Sequence, residues 1–554
     1  MLPLGLLLLC LGFLLPGHYS PWVSFQQQWL AALGVTLVAL GVAVDRASRE
    51  TQWSVAAWVA FGTALVPLVQ LLTGQIAFVS DAVLASLYVA GFGLCIVAGA
   101  TCSGVSRSRL VEGLCGVFVA AGIASTGIAA RQWLQLGPNL YVVDLGPGAR
   151  PFANLAQPNH LATLLGLAII ALLRWYELNR IRGWVTAFAA GWLAIGLLMT
   201  QSRTGWLIVV AIPVAWQILR RQAKLRLRAG PVIMGVLACV VGLLLWDKLS
   251  SALYLTSQPL ESRLQPGTRT LLWPVLVDAI GRAPWFGYGW NQVALAQQAA
   301  SLEHPSSLYL FTDSHNLFLD LLLWNGVPIG ATLGAILLVW AVKRIRACHD
   351  ADRWALLLAL TALFLHSMVE YPYDYAYFLL PAGLLVGVLE GDGTVRRTAL
   401  PRTALVLPTI LMMAMLSWIG IEYMNVEQAA RQLRFVQARI GLDRVSTAPV
   451  PDVVLLDGLR EAHRFATSEA RPGLATSELD RMHVVAQRNA SAPILFRYAL
   501  AAGLNGRVQD ASNTLGILCK TNTSKKCAEG RAEWRRMQQQ NPELASIPFP
   551  SSDR

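Results

Sequence analysis

Apolar residues gather in runs divided by short polar stretches, at about residues 2–16, 29–44, 54–72, 82–100, 110–130, 158–173, 184–199, 205–219, 231–246, 317–342, 354–370, 373–389 and 404–421. A membrane-crossing helix needs roughly 17 to 25 mostly apolar residues. The pattern therefore predicts an all-α polytopic membrane protein with about thirteen transmembrane helices, the shorter runs being extended by polar flanks or tilting little. Residues 2–16 look like the apolar part of a signal peptide. No Lys or Arg precedes them and no small-residue cleavage site follows, so they are read as a first span that stays.

Three crossings are irregular. Residues 317–342 are interrupted by Asn325-Gly326-Val327-Pro328, which predicts a short helix bending into the true span at the glycine and proline. Between 184–199 and 205–219 stand only Thr200-Gln201-Ser202-Arg203-Thr204, which predicts a tight turn at or just inside the membrane surface. Tyr371-Pro372-Tyr373-Asp374-Tyr375 joins two more spans, and its tyrosines suit a membrane interface. The polar loop 247–315 is too long for a plain connection. It shows helical patterning over residues 270–280, a glycine- and aromatic-rich turn over 284–289, and a polar helix-like run over 292–302.

Composition agrees with the pattern. The 554 residues are 55% hydrophobic and 14% charged, against about 25% charged in an average soluble domain. A net charge of +12 invites a nucleic-acid reading, but in a membrane protein basic residues report topology. With the N-terminus inside, the inner loops hold nineteen Lys and Arg. The outer loops between spans hold seven: Arg131, Arg150, Arg203, Lys248, Arg263, Arg269 and Arg282. The positive-inside rule then faces the 247–315 loop and the C-terminal tail outward, and no nucleic-acid partner is called for.

After residue 421 the chain turns to mixed charge with helical periodicity. This gives a transmembrane domain at 1–421 and a helical, periplasmic domain at 422–554. Residues 496–515 resemble one helix-turn-helix unit of the tetratricopeptide kind, an ordinary helical domain being the other reading. Of eight cysteines, six lie in or beside apolar runs, and Cys519 and Cys527 share the polar tail. An oxidising compartment alone makes a disulfide between these two the expectation.

Arg203 and Arg269 run against the topological trend. Alone, Arg203 reads as a side chain snorkelling to the surface and Arg269 as a solvated residue. Jointly, two planar, permanently charged donors suit a lipid-borne diphosphate. No acidic cluster of metal-binding type lies near them, so neither a metal nor another cofactor is assigned. His315, in Asp313-Ser314-His315-Asn316 at the border between polar loop and apolar helix, is the candidate proton acceptor, a helix cap being the plainer reading. Paired carboxylates of the glycosidase kind are missing from this scheme, which favours transfer from an activated donor over glycoside hydrolysis.

Several motifs occur in one order: Gln157-Pro158-Asn159-His160, Gln201-Ser202-Arg203-Thr204-Gly205-Trp206, Arg269 four residues before Trp273, the 284–289 turn, Asp313-Ser314-His315-Asn316 and residues 366–373. Their order, over roughly residues 150–390, resembles the bacterial O-antigen ligase superfamily, and within it the protein O-oligosaccharyltransferase branch of the PglL type. The resemblance implies a glycosyltransferase-C-like enzyme that takes a preassembled glycan from undecaprenyl diphosphate in the inner membrane, on the periplasmic side. It implies His315 as the base that activates the acceptor hydroxyl, and Arg203 and Arg269 as the groups that hold the diphosphate. The family often reads His-Ser-His-Asn where this chain has Asp313-Ser314-His315-Asn316. One candidate histidine is thereby removed, and Asp313 becomes a group able to raise the basicity of His315.

Supporting positions follow from the same motifs. Gln157 has two readings, a sugar or phosphate contact and a cap on the helix after Pro158. Asn159, His160, Gln201 and Asn316 belong to the motifs without a separate role, while Gln157 and one of Tyr371 and Tyr373 match positions that the resemblance implies the protein-glycosylating branch needs. His366 and Glu370 stand one helical turn apart, where they can pair or contact substrate. The expected acceptor is Ser or Thr of a periplasmic protein or pilin. Lipid A-core, as in an O-antigen ligase, and a growing polymer, as in an O-antigen polymerase, are the enzyme alternatives. A lipid or solute transporter is the alternative from another class, although the interrupted 317–342 pattern has no second copy.

Overall fold

The structure, a computed structural model, describes residues 1–45, 50–137, 139–146, 148–255, 267–391, 397–439 and 448–550. Arg46, Arg49, Arg263 and Arg396 of the loop count lie outside them. Each apolar run forms a helix. The first nine are α1 (Leu2–Leu14), α2 (Phe25–Val44), α3 (Val55–Leu72), α4 (Val79–Thr101), α5 (Gly104–Trp133), α6 (Pro158–Glu177), α7 (Gly183–Thr200), α8 (Arg203–Leu219) and α9 (Ala229–Ala252). The long loop folds into α10 (Arg269–Arg282) and α11 (Val293–Ser301), and α12 (Leu317–Arg346), α13 (Ala351–Ser367), α14 (Ala376–Glu390) and α15 (Thr403–Gln437) follow.

Among the described residues nine helices are long and apolar enough to cross a membrane: α2 to α7, α9, α12 and α15. The expected thirteen is thus a count of apolar helices. The other four, α1, α8, α13 and α14, have 13, 17, 17 and 15 residues. At about 1.5 Å per residue they reach roughly 20 to 26 Å, short of a hydrocarbon core of roughly 30 Å. A second feature without a signal in the apolar pattern lies in the loops that follow α2 and α14. Residues β1 (Glu50–Ser54) and β2 (Arg397–Pro401) form an antiparallel ribbon, with Glu50 opposite Pro401 and Ser54 opposite Arg397. Five residues of mixed polarity carry too little alternation to announce a strand.

The chain divides into two compact units. The first takes Met1–Ala64, Leu87–Gln265 and Leu337–Gly420. At its centre α6 is enclosed by α5, α7, α8 and α13, so its polar side chains have to find partners on those neighbours. Close packing comes from small residues: Gly5 and Gly34 meet so tightly that a Cβ on either would strike the other's carbonyl oxygen. At the far end of α6, buried Arg174 bonds to Glu112 on α5 (2.9 Å) and Asp352 on α13 (2.6 Å).

The second unit takes Leu65–Ser86, Pro266–Ile336 and Ile421–Arg554. Its tail folds into α16 (Asp457–Thr467), α17 (Thr476–Arg488), α18 (Ala492–Leu504), α19 (Val508–Lys520) and α20 (Ser524–Gln540). Buried Phe465, Met482, Tyr498, Leu515 and Trp534 hold these helices together. Cys519 and Cys527 are joined by a disulfide.

In the same unit the interrupted crossing breaks at Gly326, whose backbone (φ 74°, ψ 172°) lies where essentially only glycine is found. The 284–289 turn docks into the break. Val327 N–H donates to the Pro284 carbonyl and Tyr288 N–H to the Leu323 carbonyl, each at 2.7 Å. Gln70 clasps both sides, donating to the Trp324 carbonyl (2.8 Å) and accepting from Trp290 N–H (2.9 Å). A Cβ on Gly326 would strike the Trp285 carbonyl. Gly326→Ala is therefore expected to destabilise the detergent-solubilised protein by at least about 1–3 kcal/mol from backbone strain alone. Thermal unfolding of this variant beside Gly62→Ala, where a Cβ meets open space, is the measurement, and equal melting temperatures would remove the argument.

Candidate active site

The residues singled out in the sequence fall in both units. Gln157, Asn159, His160, Gln201, Arg203, His366, Glu370, Tyr371 and Tyr373 belong to the first, and Arg269, Asp313, His315 and Asn316 to the second. Each cluster is coherent by itself.

In the first unit three motifs meet at Asn159. Its Nδ2 donates to Glu370 Oε1 (2.8 Å), and its Oδ1 accepts from the Ser202 hydroxyl (2.6 Å). Ser202 Oγ in turn accepts from Gly205 N–H (3.2 Å) and caps α8. Asn159 therefore joins the start of α6 to the start of α8 and to the segment after α13. Gln201 adopts the left-handed conformation (φ 48°) at the corner, and its carbonyl accepts from Arg150 at 3.4 Å. The tight turn is shorter than the sequence suggested. Arg203 and Thr204 are already helical, and exposed Arg203 is the first residue of α8.

Gln157 precedes α6 without capping it through its side chain; its amide nitrogen lies 3.1 Å from His160 Nε2. His160, fully buried, continues through Nδ1 to the Tyr377 hydroxyl (2.8 Å) and meets the Tyr375 ring edge-on at 4.2 Å. His366 Nδ1 pairs with Thr163 Oγ1 (2.8 Å). Side chains of both His366 and Glu370 thus reach partners on α6, while the Glu370 N–H donates to the His366 carbonyl (2.8 Å). Tyr371 stacks near Tyr375 (6.2 Å), and Tyr373 lies in the one-turn 3₁₀ helix Pro372–Asp374.

In the second unit His315 occupies a strained corner. Its φ is +58°, a left-handed conformation uncommon for a non-glycine residue and costing about 1–3 kcal/mol. The cap of α12 is Asn316: its Oδ1 accepts from Phe318 N–H (3.0 Å) and Leu319 N–H (3.2 Å). Capping is thus assigned to the neighbour of His315. Buried Asp320 accepts from Ser314 N–H (2.9 Å), and Trp273 Nε1 donates to the Ser314 carbonyl (2.9 Å). Asp313 Oδ2 accepts from the Thr312 hydroxyl (2.7 Å). Because Arg269 precedes Trp273 by one helical turn, it stands on the face of α10 that meets this loop, and it too is the first residue of its helix. Further along α10, Arg282 and then His304 hydrogen-bond to Asp278 and hold its carboxyl below the usual range.

No separate role was legible in the sequence for Ser202, Thr163, Tyr377, Arg150, Trp273 or Asp320. Only Asp320, a lone acid in the apolar start of α12, carried a signal of its own.

A mostly helical architecture with many apolar helices marks a polytopic membrane protein. Residues 188–333 match the O-antigen ligase family model, 354–518 the C-terminal model of virulence factor membrane-bound polymerases, and 151–175 the protein glycosylation ligase model. Parts of the chain are thus similar to the O-antigen ligase family and to protein glycosylation ligases. Two curated relatives come from Acinetobacter baylyi. A general O-oligosaccharyltransferase is 27% identical, over 94% of this chain and 92% of the relative. A ComP-specific O-oligosaccharyltransferase is 28% identical, over 70% of each.

Asn159→Leu removes both bonds of the central joint while keeping the branched outline of the side chain, at about 1–3 kcal/mol for each buried group that loses its partner. A melting temperature several degrees below the parent is the expected outcome. An unchanged value would show that Asn159 does not fasten the three motifs.

Proposed function

We propose that this protein is an O-oligosaccharyltransferase that moves a preassembled glycan from undecaprenyl diphosphate to Ser or Thr hydroxyls of periplasmic proteins or pilin. The observation that carries the reading is the position of Arg203 and Arg269, each the first residue of a helix. A cation there opposes the helix dipole by about 0.3–1 kcal/mol, whereas an anion is favoured at the same place. A guanidinium at a helix start suits a negatively charged phosphate at each of these positions.

In the proposed reaction the acceptor oxygen bonds to the anomeric carbon as the bond from that carbon to the phosphate oxygen breaks. The hydroxyl proton passes to His315, and undecaprenyl diphosphate leaves with its charge neutralised by Arg203 and Arg269. The strained backbone at His315 supports its role as base, because it sets the imidazole at the head of α12 instead of in a helix. The active face and the tail are assigned to the periplasmic side of the inner membrane. The bias of Lys and Arg toward the opposite loops supports this orientation, as does the disulfide in the tail, since such bonds persist in oxidising compartments.

Mass spectrometry of periplasmic proteins and pilin, with and without the gene, tests the acceptor class: glycan on Ser or Thr peptides should vanish on deletion. Loss of ligated lipopolysaccharide with unchanged protein glycans would instead identify lipid A-core as the acceptor. His315→Ala and Arg269→Ala should each insert normally yet lower transfer by about 100-fold or more. Full glycosylation by membrane-inserted His315→Ala would sink the mechanism.

A further inference from the structure

The segment that delivers His315 is held by groups outside every motif. Gln297, fully buried on α11, commits its whole amide to residues 307–311. Its Nε2 donates to the Ser307 hydroxyl (2.7 Å) and the Tyr309 carbonyl (2.9 Å), and its Oε1 accepts from Phe311 N–H (2.8 Å). Phe311 in turn sets its ring edge-on to the His315 imidazole, with centroids 5.6 Å apart at 82°. Gln297 thus lies two contacts from the proposed base.

The other end of the segment is fastened to the tail, within the same compact unit. Ser307 N–H donates to the Lys520 carbonyl (2.9 Å), and the Ser306 hydroxyl reaches the carbonyls of Lys520 (3.1 Å) and Cys519 (3.3 Å). Lys520 Nζ donates back to the His304 carbonyl (2.8 Å). Carbonyls in the last turn of a helix lack intrahelical donors, and here the serines supply them. The Cys519–Cys527 disulfide ties this turn to α20. Close by, Gln298 Nε2 donates to the Gln487 carbonyl (2.7 Å) in α17.

We infer that Gln297 and the disulfide-closed end of α19 are positioning elements for His315, so that the helical tail sets the rate of hydroxyl activation. The inference rests on the reading of His315 as base. A frame of this kind affects the reacting geometry and leaves the binding surfaces for donor and acceptor alone. Its loss should therefore appear in kcat, with KM unchanged.

The test uses purified full-length protein with undecaprenyl-diphosphate-linked glycan and an acceptor pilin, comparing Gln297→Leu and Ser306→Ala with the parent. Expected are a kcat about tenfold lower for Gln297→Leu, from a displacement of a fraction of an ångström, a smaller loss for Ser306→Ala, and unchanged KM for both substrates. Raised KM for the pilin at unchanged kcat would overturn the inference and make the tail an acceptor-binding element. Unaltered kinetics in either folded variant would overturn it too. Should Gln297→Leu fail to fold, the partly exposed Ser306→Ala decides alone. His315→Ala separates the two levels: if it is inactive while Gln297→Leu is fully active, only the positioning role fails, whereas an active His315→Ala removes the underlying reading.

Discussion

A polar group placed among apolar helices must find its partner inside the protein, because hydrocarbon offers none. That constraint explains why Asn159 can organise the first unit. An amide has both a donor and an acceptor end, so one side chain on α6 answers the Ser202 hydroxyl on one side and the Glu370 carboxylate on the other. The arrangement is directional. It sets the start of α8, and hence the guanidinium of Arg203, relative to the enclosed helix α6. His160 does similar work deeper down, where its ring joins Gln157 to Tyr377.

The same rule operates differently in the second unit, where main-chain groups freed by the break at Gly326 are answered by the main chain of the 284–289 turn. A glycine that permits a broken helix would be a weakness by itself. With Pro284 and Leu323 carbonyls bonded across the gap, it becomes a rigid joint, and the short helical segment that begins beside His315 is fixed at its far end. Asn316, Asp320 and Trp273 fix the near end. A strained residue such as His315 persists only when its surroundings over-determine it, and here three side chains from two helices do so.

Most of the helices were legible because an apolar run of membrane length has few other outcomes. Boundaries were less so: nothing in Thr200-Gln201-Ser202-Arg203-Thr204 announced that helix α8 begins at the arginine and not after it. The joint at Asn159 was invisible for another reason. Its partners lie 43 and 211 residues away in the chain, and a hydrogen bond between distant positions leaves no periodicity to read. Motif order pointed to the participants without assigning their work, so that Asn316, grouped with the site, proved to be the cap, and Gln297, inside a run noted only as polar, holds the approach to His315. The short ribbon between residues 50–54 and 397–401 left no trace for the same reason of distance.

That ribbon has a temporal consequence. Strand β1 ends at Ser54, and its hydrogen-bonding partner is complete only at Pro401. At synthesis rates of roughly 5–20 residues per second, the first strand waits roughly 20 to 70 seconds for the second. Throughout that interval the early helices are anchored in the bilayer while one edge of backbone between α2 and α3 remains open. Closure of the ribbon joins the first and last quarters of the membrane-embedded sequence, so it acts as a clasp fastened after the intervening helices have been laid down.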